Sequence, residues 1–327
     1  MTDHSRQALV AAIGGTYISL AIADIDELTI SDFALLNSAD FEQPMEAVER
    51  YLKTIPRCPN KVALAVTGSV AGDKAIMDLR GWTLTKNDVR AATRADIVHM
   101  VTDLDALAIM LPHLSAYDVT TIKDGMPALH GTKVAVNAGT ALGVSALVHG
   151  GGRWVPVVGQ AGHASFHFAR AGEFNPQDGS SHQLVVDDVF TGRGLVMVYE
   201  QLARRRGGEP TLKGARAIAA KGLAREDEAA IEALDFMAIW LGRYAADVAL
   251  TFGAAGGIYL AGGLAANMLP VLNGRRFLDA IEEGIGKHLG EVAIRVVKTG
   301  ADTGLRGSAL ALSNALTSPG SARRAGD

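Results

Sequence analysis

At 327 residues, 48% of them hydrophobic, the chain is long enough to bury two cores, at roughly 100 to 200 residues per domain. Its 31 basic residues against 35 acidic ones leave a net charge of -4, which gives no electrostatic footing for nucleic acid or an anionic membrane, so the expected partners are small molecules. One cysteine, Cys58, excludes an internal disulfide framework and suits a reducing cytoplasm, and no apolar run approaches the ~20 residues that span a bilayer.

In chain order, residues 8–13 and 17–24 read as strands joined through Gly14-Gly15-Thr16, with a weaker third strand over 28–36. Pro44 suits the first turn of a helix running to about residue 55, with Met45, Val48 and Leu52 on one face. A buried strand at 61–66, a Gly-rich turn (Thr67, Gly68, Gly72) and a short helix near 87–94 follow. Then comes IVHMVTDLDA at 97–106: a β-branched apolar strand that stops at Thr102-Asp103 and runs into a helix ending near Pro112. A carboxylate at the carboxyl end of a buried strand sits where open α/β sheets place their chemistry, which makes Asp103 a candidate general base. The same position suits a helix cap by Asp103 or Thr102.

The second half restarts in the same style, with strands at 134–137, 141–149 and 153–158, the first two joined through Gly139-Thr140. A polar loop over 170–182 leads to a helix carrying Leu195, Val198, Tyr199 and Leu202, ended by the solvated run Arg204-Arg205-Arg206. A long core helix over 226–252, a strand at 256–260 ending in Gly262-Gly263, a helix near 277–288, a strand at 293–297 and a helix over 305–316 complete the order. The tail TSPGSARRAGD is expected to be disordered. Strands alternating with helices at this spacing mean largely parallel α/β sheets.

An internal echo links the halves. AAIGGTYISLAIAD (11–24) and AVNAGTALGVSALV (135–148) share one plan, strand, Gly-Thr turn, strand, with Thr16 and Thr140 in matching places. Each turn offers consecutive backbone N–H groups and a hydroxyl to an anion, so a facing pair would clamp a phosphate; two ordinary hairpins with glycine at positive φ are the plainer account of either turn alone. There is no G-x-x-x-x-G-K-[ST] loop, no G-x-G-x-x-G after a strand and no G-x-S-x-G elbow. His163 and His167 lie in GHASFHF, which alternates like a strand and puts both on one side, but no third ligand accompanies them and the metal ligands stay unknown.

Taken together, these blocks resemble the bacterial glucokinases of the actin-like sugar kinase superfamily, from about residue 8 to 316. AIGGT (12–16) and AGTALG (138–143) are similar to the family's two phosphate loops, and AVTGSVAGD (65–73) with Trp82 to its next block. VTDLDA (101–106) is similar to the segment with the catalytic aspartate, and GQAGH (159–163) and DDVFTGRGLVMVY (187–199) to the sugar-contacting blocks. IYLAGGLA (258–265) matches the adenosine-side glycines, and TGLRGSA (303–309) the start of the C-terminal helix. The resemblance implies two actin-like (ribonuclease H-like) α/β domains with an interdomain cleft. The smaller would span 1–112 plus 303–318 and the larger 113–302, with a disordered tail at 319–327 and a homodimer formed through the larger domain.

It also implies an ATP-dependent, cytoplasmic hexose kinase using Mg²⁺ and acting on the 6-hydroxyl of glucose or a related sugar. Asp103 would be the base, and Thr102, Asp103, Gln160, His163 and Asp187 would contact the sugar. Gly14, Gly15, Thr16, Gly139, Thr140, Gly262 and Gly263 would line the nucleotide. Ala12 stands where an aspartate is expected, Gln160 and Asp187 where glutamates are, and Thr102 where an asparagine is. These departures motivate the alternative of a weak or inactive relative that binds a sugar or nucleotide for regulation.

Overall fold

The computed structural model describes residues 6–56, 58–286, 288–289, 292–298 and 301–317. It divides into two units, Met1–His113 with Gly300–Asp327, and Leu114–Thr299, each with its own large sheet. The tail expected at 319–327 lies outside the described residues. Among the described residues, no helix is long and apolar enough to cross a membrane.

In the first unit β1 (Gln7–Ile13), β2 (Tyr17–Asp24) and β3 (Ile30–Asn37) form an antiparallel meander. After α1 (Pro44–Leu52), β4 (Lys61–Val66) pairs parallel with β1. A separate small sheet of β5 (Ser69–Ala71), β6 (Lys74–Met77) and β7 (Trp82–Thr85) leads through α2 (Lys86–Thr93) to β8 (Ile97–Thr102), parallel to β4, and to α3 (Asp103–Met110). The main sheet runs β3-β2-β1-β4-β8.

Both faces of this sheet are covered, which is why ALVAAI in β1 reads as an unbroken apolar run. Leu9, Ala11 and Ile13 join Val48, Tyr51 and Trp82 on one side. On the other, the last helix of the chain, α11 (Ala301–Thr317), sets Leu305, Ala309 and Leu312 against Ala8, Val10, Ala21, Ala23 and Ala63. The small side chains on that strand face let the helix sit close. Gly307 brings α11 against α3: a Cβ there would lie 2.4 Å from the Ala106 carbonyl.

The second unit begins with β9 (Val119–Lys123), β10 (Lys133–Ala138), β11 (Leu142–Gly150) and β12 (Arg153–Gly159). The helices α4 (Val186–Val189), α5 (Gly192–Arg205), α6 (Ala215–Leu223) and α7 (Glu228–Phe252) intervene before β13 (Ile258–Ala261). Then come α8 (Gly262–Asn267), α9 (Leu269–Leu272), α10 (Arg275–Ile285) and β14 (Ile294–Val297). The sheet runs β12-β11-β10-β13-β14-β9, with β10, β13 and β14 parallel. Its first five strands repeat the plan of the first unit, a meander followed by two parallel strands, and β9 is an added antiparallel edge. The 25-residue α7, capped by the Asp227 side chain, buries Leu234, Met237, Trp240, Leu241 and Tyr244 in the core.

Several expectations shift. α1 ends at Leu52 rather than near residue 55; Val48 is buried with Met45 and Leu52 packed against the same core, joined by Ala47 and Tyr51. The helix expected over 277–288 is α10, ended at Ile285 by Gly286 at φ 54°. The small β5–β7 sheet, β9, α6, α8 and α9 escape sequence reading because each is short and carries little periodic signal. GHASFHF is not a strand: it opens as a 3-10 turn, Ala161–His163, and its one β-bridge joins Ser165 to Val185. Its alternation reflects Phe166 and Phe168 turning into the core.

Leu305 and Leu312 are fully buried between α11 and the sheet, so Leu305→Ala and Leu312→Ala should each remove about 2–5 kcal/mol of stability. Urea unfolding should show this as a lower midpoint with unchanged slope; an unmoved midpoint would mean that α11 is dispensable to its unit.

Candidate active site

The parallel pairing of the first unit lines up three strand ends. Ile13 is in register with Val66, and Val66 with Thr102. The next residue on each strand, Gly14, Thr67 and Asp103, therefore stands at the carboxyl edge of the sheet, the usual location of chemistry in such folds. Thr102 is the N-cap of α3: its hydroxyl accepts the Asp105 N–H at 3.0 Å and donates to Asp105 Oδ2 at 2.7 Å. That capping box makes Thr102 the N-cap, and Asp103 occupies the first helical position. Of the open readings for this pair, the cap falls to Thr102, and its hydroxyl is committed to Asp105.

The half-buried Asp103 carboxylate accepts the Thr67 hydroxyl on Oδ2 at 2.9 Å and the Leu104 N–H on Oδ1 at 3.0 Å. Burial pushes this carboxyl above the ordinary carboxylate range, outweighing the Thr67 and backbone hydrogen bonds that pull it down. A raised carboxyl is a better match for a general base near neutral pH.

Beside it, the four residues between the paired Ile13 and Ile18 form the first Gly-Thr loop. The Gly14 N–H donates to the Tyr17 carbonyl at 3.0 Å, and the Gly14 carbonyl accepts the Ser38 hydroxyl at 2.8 Å. Gly14 and Gly15 are not at positive φ, and a Cβ on Gly15 would meet nothing within 4 Å. The glycine therefore leaves bare main chain open to an approaching group rather than easing a left-handed turn. Ala12 lies under α11, where a Cβ built on Gly304 would be 3.1 Å from its methyl group.

In the second unit the echoed hairpin closes one residue tighter, because Ala138 pairs with Leu142 and leaves only 139–141 between. Gly139 likewise has no positive φ, and its N–H donates to the Ala141 carbonyl at 3.2 Å. The loop borders Gly262-Gly263, at the carboxyl end of β13: a Cβ on Gly139 would lie 3.9 Å from the Gly263 nitrogen. Gly262, at φ 89°, fits only as glycine, since a Cβ would fall 2.3 Å from the Ala138 carbonyl. Gly263 faces open space, and no side chain caps the start of α8.

The 3-10 turn that begins after Gln160 packs against the same hairpin. A Cβ on Gly162 would reach 2.5 Å from the Leu142 carbonyl and 3.5 Å from Asp187 Cβ. Asp187, in the first turn of α4, accepts the Leu142 N–H on Oδ1, while Oδ2 lies 3.8 Å from the exposed guanidinium of Arg193. Gln160 and His163 are exposed on that turn. Gly139, Thr140, Gln160, His163 and Asp187 thus gather around one strand-end, with Gly262 and Gly263 beside it. Sequence reading missed Thr67, Gly162 and Arg193 as members of these clusters. The signal for Thr67 was available, since it follows a strand in register with the one before Asp103, but the register itself is not written in the chain. Among the described residues no group of three or more His, Cys, Asp or Glu side chains gathers to hold a metal, and His163 and His167 find no third ligand.

The glucokinase family model matches residues 9–315. The glucokinase of Chelativorans sp. (strain BNC1) is 30% identical over 290 residues, covering 86% of this chain and 85% of its own. That of Rhizobium meliloti (strain 1021) is 30% identical over 283 residues, covering 84% and 82%. Among solved structures, glucokinase from an Antarctic psychrotroph superposes with a TM-score of 0.82 at 26% identity, over 94% of this chain and 99% of that one. Glucokinase from Balamuthia mandrillaris in complex with glucose has a TM-score of 0.75 at 17% identity over 93% and 92%, a likeness of fold.

Because its carboxyl is raised in the fold, Asp103 holds its proton more tightly there than in the unfolded chain. Stability attributable to Asp103 is therefore lost as pH climbs from the ordinary carboxylate range through the raised value. Asp103→Asn should raise the Tm near neutral pH, with the gain shrinking on acidification, in thermal unfolding across a pH series. A variant with the same pH dependence as the parent protein would show that the buried charge costs the fold nothing.

Proposed function

Since this chain belongs to the glucokinase family, we propose that its strand-end clusters divide the labour of an ATP-dependent hexose kinase, with Asp103 as general base. The substrate is glucose or a related hexose and the group transferred is the γ-phosphoryl of ATP. As the sugar's 6-hydroxyl oxygen attacks phosphorus, Asp103 accepts the hydroxyl proton, the bond to the bridging oxygen breaks, and ADP leaves with that oxygen. The single observation that carries this reading is the Asp103 carboxylate itself: set at a strand end, relieved of capping duty by Thr102, held at both oxygens and raised by burial. A chain that had abandoned chemistry would gain stability by losing it, which argues against the regulatory alternative.

Thr102 serves by capping the helix that carries the base. Gln160, His163 and Asp187 hold the sugar, with one Asp187 oxygen tied to Leu142 and the other left for a hydroxyl. Bare main chain at Gly14-Gly15 and Gly139, with the hydroxyls of Thr16 and Thr140, receives the phosphates, and Gly262-Gly263 flank the adenosine. The residues at position 12 and around it build no cage for Mg²⁺, since Ala12 has no donor. Mg²⁺ bound with the triphosphate would offset phosphate charge there, and position 12 would add no ligand to it. The homodimer implied by the resemblance has one patch in its favour, Val148, Val155 and Val157, exposed on one face of the edge pair β11–β12.

Asp103→Asn should lower kcat by ~10²- to 10⁴-fold, the usual worth of a general base, while calorimetry still registers glucose binding. Turnover near the parent rate would remove Asp103 from the chemistry. Gln160→Glu restores charge to a sugar-facing acceptor and should lower the glucose KM roughly fivefold, about 1 kcal/mol, in a coupled assay of ADP release. An unchanged or higher KM would place Gln160 outside the sugar site.

A further inference from the structure

We propose that Thr67 is the positioning residue of the base, fixing the Asp103 carboxylate through its hydroxyl while standing between that carboxylate and the first Gly-Thr loop. This inference rests on Asp103 being the base. Its ground is the sheet register: Ile13, Val66 and Thr102 form one row, so Gly14, Thr67 and Asp103 are neighbours in the next. Thr67 is anchored from its main chain, where its N–H donates to the Ile13 carbonyl at 3.0 Å. Its hydroxyl donates to Asp103 Oδ2 at 2.9 Å, and a Cβ on Gly14 would lie 3.9 Å from the same hydroxyl oxygen.

An aspartate's terminal torsion is broad, so a carboxylate held at one oxygen still swings. Here Leu104 N–H holds Oδ1 and Thr67 holds Oδ2, which fixes the plane and directs the remaining lone pairs. Threonine suits the task better than serine, because its branched Cβ restricts the rotamer from which the hydroxyl points. The hydroxyl also favours the charged carboxylate against the burial that disfavours it. Removing the donor should both loosen the base and move its titration further upward.

The test compares Thr67→Val, which keeps the shape and removes the donor, with Thr67→Ser, which keeps the donor. Thr67→Val should lower kcat about 10-fold or more at neutral pH, with the KM for sugar and ATP little changed. It should also shift the acid limb of the kcat–pH profile to higher pH. Thr67→Ser should restore the limb and most of the rate. If Thr67→Val fails to fold, Thr67→Ala carries the same readouts. An unshifted limb in the variant lacking the hydroxyl, or equal loss in the serine variant, overturns the proposal. Asp103→Asn in the same assay separates the two failures: if it is inactive while Thr67→Val behaves as the parent protein, only the role of Thr67 falls. If Asp103→Asn turns over normally, the assignment of the base falls and this inference with it.

Discussion

Parallel register is the constraint from which the first unit's chemistry follows. Because β1, β4 and β8 run the same way and pair Ile13 with Val66 with Thr102, their chains leave the sheet together. A glycine, a hydroxyl and a carboxylate are thereby set in one row without any long-range contrivance. The row holds only while the sheet is clamped on both faces, by the Trp82 side of the core and by α11. That the clamp on one face comes from the far end of the chain ties Asp103 to residues about two hundred positions away. Gly307, close against Ala106, brings the clamp directly onto the helix that begins with Asp103.

The second unit solves the comparable problem by steric contact rather than by register alone. The residues proposed to face the sugar come from a 3-10 turn and a one-turn helix, elements too short to hold their own geometry. Gly162 permits the turn to rest against the Leu142 carbonyl, and Asp187 bonds to the amide of the same residue. Both elements therefore meet at Leu142, the turn by close packing and Asp187 by a hydrogen bond. The other Asp187 oxygen lies 3.8 Å from the exposed Arg193 guanidinium.

The two units repeat one topology, yet their Gly-Thr loops are not identical. Four residues separate the paired Ile13 and Ile18, three separate Ala138 and Leu142. In neither does glycine adopt a left-handed conformation, so the plain account of these glycines as turn formers does not hold. Their common property is exposed main chain, which a side chain would cover. Two of the departures from family expectation remove charge, at Ala12 and Gln160, while Asp187 keeps its charge and the carboxylate at Asp103 is retained.

Much of this was legible in the chain. Apolar runs such as ALVAAI and KVALAV announced strands covered on both faces, the α7 stripe announced a core helix, and the echoed Gly-Thr segments announced a duplicated unit. The place of Asp103 at a strand end was readable from the β-branched run before it. Short elements were not, since β5–β7, β9 and α6 carry too few periods to rise above irregular sequence. GHASFHF misled, because core contacts and strand alternation share a period of two. What only the tertiary structure decided is who touches whom. The bond from Thr67 to Asp103, the division of capping and chemistry between Thr102 and its neighbour, and the tether of Asp187 to Leu142 all depend on register and close approach, and those are properties of packed neighbours far apart in sequence.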